Sequence, residues 1–545
     1  MTGVPSFLLV SICSALLLVA QLSRAATADQ WRGRSIYQLI VDRYALPQGA
    51  DLDACDPGQQ TWCGGTWKTV MDNLDYIQNA GFTAIWISPV SQNYQGPRTP
   101  YGDPYHGYWI ADATQLNDKF GTADDLKALS DEIHRRGMYL MVDVVVNNVM
   151  ALTTDPDLST FLFKDKSLYH PYCPVDYSNL TSEQQCWLGD LNVTLPDVKT
   201  EDPTVISTYG NWIQSLVQQF NIDGLRIDEP IHYFRHVDMP FWPAFCGSAG
   251  VFCMGEVFEG GAADVGPWQG NQSMDSVLNY PMYTALTEAL TIPGPQNMTA
   301  VADMIAQSKQ YFTDPTVLGN FIENQDVPRW LNMSVDPQSL YNAMVFNFMS
   351  DGIPIVYYGQ EQGAHGASDP YNREPLWPSG YANTTTYQLV TKLNTFRNFL
   401  VNTTDWATTP MQVLTSSPNA TAILKGKIVS VVTNIGSPPA NLSVPVYTPW
   451  KQSDILTEII SCDQYSVGSN GTIQMQYSKG GEAAVFINND DIQGAGVCGY
   501  AGVVGSTGST ISKAANGAAA SVSVSRFSTV LFGLALAFVF FFVSF

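Results

Sequence analysis

The chain is short of charge, and shortest of positive charge. Only 14% of its 545 residues are charged, against roughly 25% in an ordinary soluble domain. Its 26 basic residues face 49 acidic ones, for a formal charge of −23. A surface of that sign repels nucleic acid and anionic membranes, which disfavours a phosphate-tracking function. No G-x-G-x-x-G or Walker pattern occurs, which removes the usual dinucleotide and P-loop folds. No C-x-x-C repeat or H-E-x-x-H stands in the chain, so neither a structural nor a catalytic zinc is expected. G-x-S-x-G is missing as well, which disfavours a serine hydrolase. No repeat of 20 to 50 residues is visible.

Apolar material is abundant. Hydrophobic residues make up 45% of the chain and aromatics 12%, enough for two to four domains with large cores. Flat rings suit sugar faces, although aromatic cores are their commoner use. The ends carry processing signals. Phe7 to Leu22 is apolar and closes on Ser23-Arg24-Ala25, a secretory signal over residues 1–25 that lacks a basic start. At the far end Phe527–Phe545 is uncharged and apolar, behind a short small-residue spacer. With Asn516-Gly517-Ala518 upstream this forms a GPI-attachment signal, Asn516 being the attachment residue, 500–516 a stalk and 517–545 a propeptide. A tail-anchored helix is disfavoured by the signal peptide and the missing basic flank. Eight cysteines remain beyond the signal and fall as neighbours: Cys55 and Cys63, Cys173 and Cys186, Cys246 and Cys253, Cys462 and Cys498. Local disulfides are the simplest reading of an exported chain, with other connectivities open. Asn-x-Ser/Thr sequons from Asn179 to Asn470 agree with export.

Between the ends, strand-like runs alternate with helical patterns. The strands expected are Ile36–Val41, Thr83–Ser88, Tyr139–Val146, Gly224–Asp228, Phe252–Val257, Gly319–Glu323 and Ile353–Tyr357. Asp124–Arg136 carries Leu126, Leu129 and Ile133 at helical spacing. Such alternation, with Asp143, Asn147, Arg226, Asp228, Glu256, Glu323 and Asp326 at strand ends, points to a (β/α)8 TIM barrel over 26–147 and 200–402. The pattern lapses over 148–199, a loop-rich subdomain inserted after strand 3. Alternating segments such as Lys427–Thr433 and Ala483–Ile487 place a C-terminal antiparallel β-sandwich domain over 403–499.

Asp228, Glu256 and Asp326 sit in apolar, strand-like surroundings, where ionised carboxylates are costly unless paired or used. Three from three strands fit glycoside hydrolysis, which needs a nucleophile, a proton donor and an anion near an oxocarbenium ion. Arg226, two residues before Asp228, lies on the same strand face and can keep that carboxylate ionised. The chain resembles the α-amylase family of glycoside hydrolases, most closely the fungal secreted α-amylases, over Gln30 to Cys498. The likeness rests on Cys63–Trp67, Gly81–Pro89, Tyr105–Trp109 and Gly121–Val145, and on DVVVNN (Asp143–Asn148), GLRIDEPIH (Gly224–His232), GEVF (Gly255–Phe258) and FIENQD (Phe321–Asp326). It implies Asp228 as nucleophile, Glu256 as general acid/base and Asp326 as transition-state stabiliser, with Arg226 orienting the nucleophile. Tyr108 would stack on the reacting sugar, Trp109 beside it, with His106, Gln60, Asp369 and Arg373 on its hydroxyls. A Ca²⁺ ion would be held by the side chains of Asn147 and Asp197 and the carbonyls of Gln184 and His232, His232 also belonging to the substrate-binding motif. Gln184 stands where relatives have Glu, and Cys246–Cys253 has no counterpart there, while the other three pairs match.

Two departures bear on activity. Asn148 and Gln325 stand where the family has histidines that donate to the reacting sugar, and amides donate without charge. Ile231 replaces a lysine on the leaving-group side, making the acceptor subsites more apolar. Together with the GPI signal, these changes resemble a subgroup of fungal proteins regarded as 4-α-glucanotransferases of cell-wall α-glucan. The expectation is a retaining enzyme that cleaves α-1,4-glucan and transfers the segment, working as a monomer at the cell surface. The alternatives are a surface-bound hydrolytic α-amylase and an inactive glucan-binding protein, the latter disfavoured by an intact set of carboxylates.

Overall fold

The computed structural model describes residues 26–52, 55–176, 178–228 and 240–502. The signal peptide, Ile231, His232, the stalk beyond 502, Asn516 and the apolar tail lie outside the described residues. Eight parallel strands form the central sheet: β1 (Ile36–Leu39), β2 (Ala84–Ile87), β3 (Tyr139–Val144), β4 (Gly224–Ile227), β5 (Phe252–Gly255), β6 (Ser276–Val277), β7 (Gly319–Asn320) and β8 (Ile353–Tyr357). The order is β6-β5-β4-β3-β2-β1-β8-β7, and a parallel bridge from Leu278 to Gly319 closes the ring. This is the expected (β/α)8 barrel.

The strand period of two sorts the side chains. Ile36, Ala84, Trp86, Met141, Phe252, Met254, Ile353 and Ile355 fill the interior. Their neighbours Tyr37, Ile85, Ile87, Leu140, Val142, Leu225, Ile227 and Cys253 pack outward against the helices. Helix Ala123–Arg135 begins at a reciprocal Thr122/Asp125 capping box and buries Leu126, Leu129 and Ile133. Helix Pro203–Phe220 starts on Asp202 and Pro203 and stops at left-handed Asn221.

Several expected strands are shorter than their apolar runs. Residues 40–44 leave β1 for a short helix, Val41–Tyr44, and β7 ends at Asn320, so Phe321–Asp326 forms a loop. β6 has no counterpart among the expected strands: Ser276 and Val277 lie between Asp275 and Asn279 with no apolar run to mark them, whereas the equally short β7 leads into Phe321-Ile322.

After β3 the chain enters an insert with two 3₁₀ turns and the helix Leu180–Gln185. Its two ends zip together at the bridge Asn148–Asp197, with Val198 N–H donating to Asn147 C=O at 2.9 Å. Beyond helix Thr385–Thr403, strands β9 (Gln412–Ser416), β10 (Ala420–Lys425), β11 (Ile428–Thr433), β12 (Ser443–Tyr447), β13 (Ile455–Glu458), β14 (Gln464–Ser466), β15 (Thr472–Gln476) and β16 (Ala484–Asn488) build an antiparallel domain. A six-stranded sheet, β9-β10-β11-β16-β13-β14, packs on the pair β12-β15 through Val429, Val431, Val446, Leu456, Ile473 and Phe486. Four disulfides join the cysteines as sequence neighbours: Cys55–Cys63, Cys173–Cys186, Cys246–Cys253 and Cys462–Cys498.

Candidate active site

Above the apolar filling, the interior turns polar at the C-terminal ends of the strands, where barrel enzymes place their chemistry. Arg226 on β4 is wholly buried and holds three carboxylates at once. Its Nη1 donates to Asp143 Oδ1 at 3.0 Å and to Asp228 Oδ1 at 2.5 Å, and its Nη2 donates to Glu256 Oε2. Asp228 and Glu256 are the first residues after β4 and β5, so the strand register brings them to one rim. Asp143 comes from β3, where Trp86 Nε1 at 3.1 Å and the Tyr108 hydroxyl at 2.9 Å also donate to it. Burial pushes Asp143 up to about 6 against the pull of Arg226. Arg226 itself is raised: burial acts to lower it, and Asp143, Glu256 and Asp228 outweigh that.

Asp326 lies in the loop after β7. Arg373 Nη2 approaches its carboxylate at 3.3 Å, while Arg373 Nη1 pairs with exposed Asp369 at 3.1 Å. His106 is buried, and desolvation with the nearby Arg373 and Arg43 charges holds it well below its ordinary value. Its Nδ1 accepts Tyr108 N–H at 3.0 Å, so the neutral ring carries its proton on Nε2 and can donate there. The Tyr108 ring stacks on His106 with centroids 5.7 Å apart, and Trp109 meets the same imidazole edge-on at 5.0 Å. Gln60 ends a short 3₁₀ turn in left-handed conformation, its carbonyl taking Asp103 N–H at 2.8 Å. Asn148 and Gln325 are both buried.

Among the calcium candidates, Asn147 Nδ2 donates to Asp197 Oδ1 at 3.2 Å, and His170 bonds Asp197 Oδ2 at 2.5 Å. Buried amide and carboxylate oxygens are the donors Ca²⁺ takes, and both sit where the insert leaves the barrel. Gln184 is buried on the insert helix, and His232 falls outside the described residues. No group of three or more His, Cys, Asp or Glu able to hold a metal occurs among the described residues.

Sequence reasoning missed several participants. Tyr280 donates to Glu256 Oε1 at 2.7 Å and accepts from Asn324 Nδ2 at 2.9 Å. Asn324 Oδ1 takes the Asp326 N–H at 2.8 Å, so this chain of bonds ties two of the carboxylates together. Gln38 on β1 donates to the Gln325 side chain. A polar residue alternating with buried apolar ones, as Gln38 does in Ile-Tyr-Gln-Leu-Ile, was the available signal.

The family model described as alpha amylase, catalytic domain, matches residues 28–420, and that for alpha-amylase domain C matches 413–506. An alpha-amylase of Saccharomycopsis fibuligera is 39% identical over 475 residues, covering 86% of this chain and 94% of the relative. Alpha-amylase 1 of Lipomyces kononenkoae is 46% identical over 380 residues, 69% of this chain, which spans 60% of that longer relative. The solved structure of an alpha-amylase from Malbranchea cinnamomea superposes with a TM-score of 0.82 at 40% identity, over 87% of this chain and 100% of that one.

Proposed function

The chain belongs to the α-amylase family, and on that premise we propose that it opens α-1,4-glucan with retention and hands the segment to a second sugar. The observation that carries the chemistry is the single buried guanidinium shared by Asp143, Asp228 and Glu256. Arg226 keeps Asp228 anionic, so its carboxylate attacks the anomeric carbon and forms a glycosyl ester. Glu256 protonates the departing glycosidic oxygen, then takes the proton of the incoming hydroxyl. Asp326 faces the reacting sugar and offsets the positive charge that grows on its ring. Tyr108 and His106 form the platform beneath that sugar, and Gln60, Trp109, Asp369 and Arg373 hold its flanks.

Hydrolysis and transfer share this ester and differ in whether water or a sugar 4-OH attacks it. Transfer is supported by the neutral amides at Asn148 and Gln325 and by apolar Ile231 on the acceptor side. The names of the relatives favour hydrolysis as the second reading. Maltopentaose separates the two. Transfer yields chains longer than the donor, whereas only shorter products, with one new reducing end per cut, make the protein a hydrolytic amylase.

Calcium belongs to the same proposal. Asn147 and Asp197 with the carbonyls of Gln184 and His232 would hold it, and there it would pin the insert to β3 without entering the reaction. Four disulfides mark an extracellular protein. GPI attachment at Asn516 would then place a monomeric enzyme on the membrane or wall, acting on cell-wall α-glucan. Release by a GPI-specific phospholipase tests the anchor.

A further inference from the structure

We propose that Gln38 is the positioning residue that turns Gln325 into a hydrogen-bond donor toward the sugar undergoing reaction. The inference rests on the reading of this rim as a glycoside-cleaving site, and holds for hydrolysis and transfer alike.

The need for such a residue follows from side-chain chemistry. An imidazole is a rigid ring whose protonated nitrogen is selected by the bond made at the other, as at His106. A glutamine has one torsion more than a histidine, and a half-turn of its amide about that last bond exchanges NH₂ for C=O. Placed at a sugar hydroxyl, an unheld glutamine offers a donor or an acceptor by chance and loses rotamer freedom on choosing.

Gln325 is held at both ends. Its backbone carbonyl accepts from Asn372 Nδ2 at 2.9 Å and Arg373 Nε at 3.2 Å. Its side-chain Oε1 accepts from Gln38 Nε2. The residue is 1% exposed, yet its Nε2 makes no hydrogen bond with the described residues. With Oε1 occupied, the amide face left for a ligand is the NH₂ group, next in the chain to Asp326.

Gln38 is built for this task rather than for packing. It lies on β1 in the inward phase set by Ile36, paired in register with Trp86 of β2, whose indole serves Asp143. Its own Oε1 is buried without a partner among the described residues. A bare buried acceptor is unfavourable, and leucine or methionine would fill an interior strand position without it. What the glutamine adds is an NH₂ group, and its Nε2 donates to Gln325. The contact spans 287 residues of sequence, between the ends of β1 and the loop after β7.

The test is a mutant cycle on purified full-length enzyme with maltopentaose, following kcat, KM and thermal unfolding. Gln38→Leu should lower kcat and kcat/KM together by roughly tenfold, as expected for losing one oriented neutral hydrogen bond in the transition state, with KM and the unfolding temperature little changed. Gln325→Leu should lose at least as much. The double variant should be no slower than Gln325→Leu, because Gln38 acts only through its partner. Gln38→Met repeats the test should the branched side chain prevent folding. Wild-type kinetics in a folded Gln38 variant, or losses that multiply in the double variant, would overturn the assignment. Failure of the unmutated enzyme to cleave any α-glucan would instead sink the functional reading itself.

Discussion

Arg226 and Arg397 are both buried to 1% exposure or less, and their surroundings pull them in opposite directions. Arg226, at the catalytic end of the barrel, faces Asp143, Asp228 and Glu256, which raise it above its ordinary value against the cost of burial. Arg397, on helix Thr385–Thr403 at the seam with the β domain, pairs with no carboxylate among the described residues. It donates to the carbonyls of Phe348 and Gly352 at 3.0 Å and of Arg32 at 3.3 Å, and burial pulls it down to about 9 while Asp351 pulls back. Beside Trp406, Lys425 Nζ pairs with Asp351 Oδ1 at 2.6 Å. At the rim three acids share the one Arg226 cation. Two cations around one acid leave the seam one positive charge over. The acid-rich rim thus favours added positive charge, as the proposed mechanism requires. The seam uses its cations to occupy backbone carbonyls, Arg397 those of Phe348, Gly352 and Arg32 and Lys425 that of Thr409.

If that contrast is right, mutations at the rim cost rate and mutations at the seam cost stability. The largest effect belongs to Asp228→Asn. An amide forms no glycosyl ester, so kcat should fall by about 10⁴-fold or more with the unfolding temperature nearly unchanged. Near-normal turnover in that variant would remove Asp228 from its proposed role. Asp351→Asn should do the reverse. It strands the Lys425 ammonium at 2% exposure, and loss of one partner of a buried pair costs about 3–5 kcal/mol. Denaturant unfolding should register that loss while KM and kcat of the remaining folded enzyme stay put; an equal fall in kcat would dissolve the distinction between the two regions.

The third effect is on pH. As the pH falls through about 6, Asp143 gains a proton and the rim loses one of its negative charges, so kcat should decline with a midpoint near that value. Stability should not decline with it. A carboxyl that holds its proton more tightly folded, at about 6, than unfolded, at roughly 3.9, stabilises the fold as the pH drops through that window and loses this contribution as the pH rises through 6. An acid limb that tracks unfolding instead would assign the loss to the scaffold. His106 adds nothing to this limb, since burial and the Arg373 and Arg43 charges keep it neutral below its ordinary range.

The legible parts of this molecule are those with local signatures. Seven of the eight barrel strands stand out as apolar runs, and Asp228, Glu256 and Asp326 stand out because an acid beside such a run is anomalous. β6 was invisible because no apolar run flanks its two residues, and its place is set by hydrogen bonds to β5 and by the Leu278–Gly319 bridge. Asp143 was readable as a strand-end acid, but its share in Arg226 was not, since that bond joins residues 83 positions apart.

By itself, then, the sequence determined the alternation, the nearness of the paired cysteines and the three carboxylates set among apolar runs. Each is written in spacing over a few residues, where the strand period, burial and cysteine proximity act. Closing the barrel decided the rest. Tyr280 on Glu256, Gln38 on Gln325 and the three acids on one guanidinium meet only because eight strands in a fixed register bring their C-terminal ends to one rim. A hydrogen bond needs atoms within about 3 Å. That proximity is a property of the closed sheet, and no run of neighbouring residues encodes it.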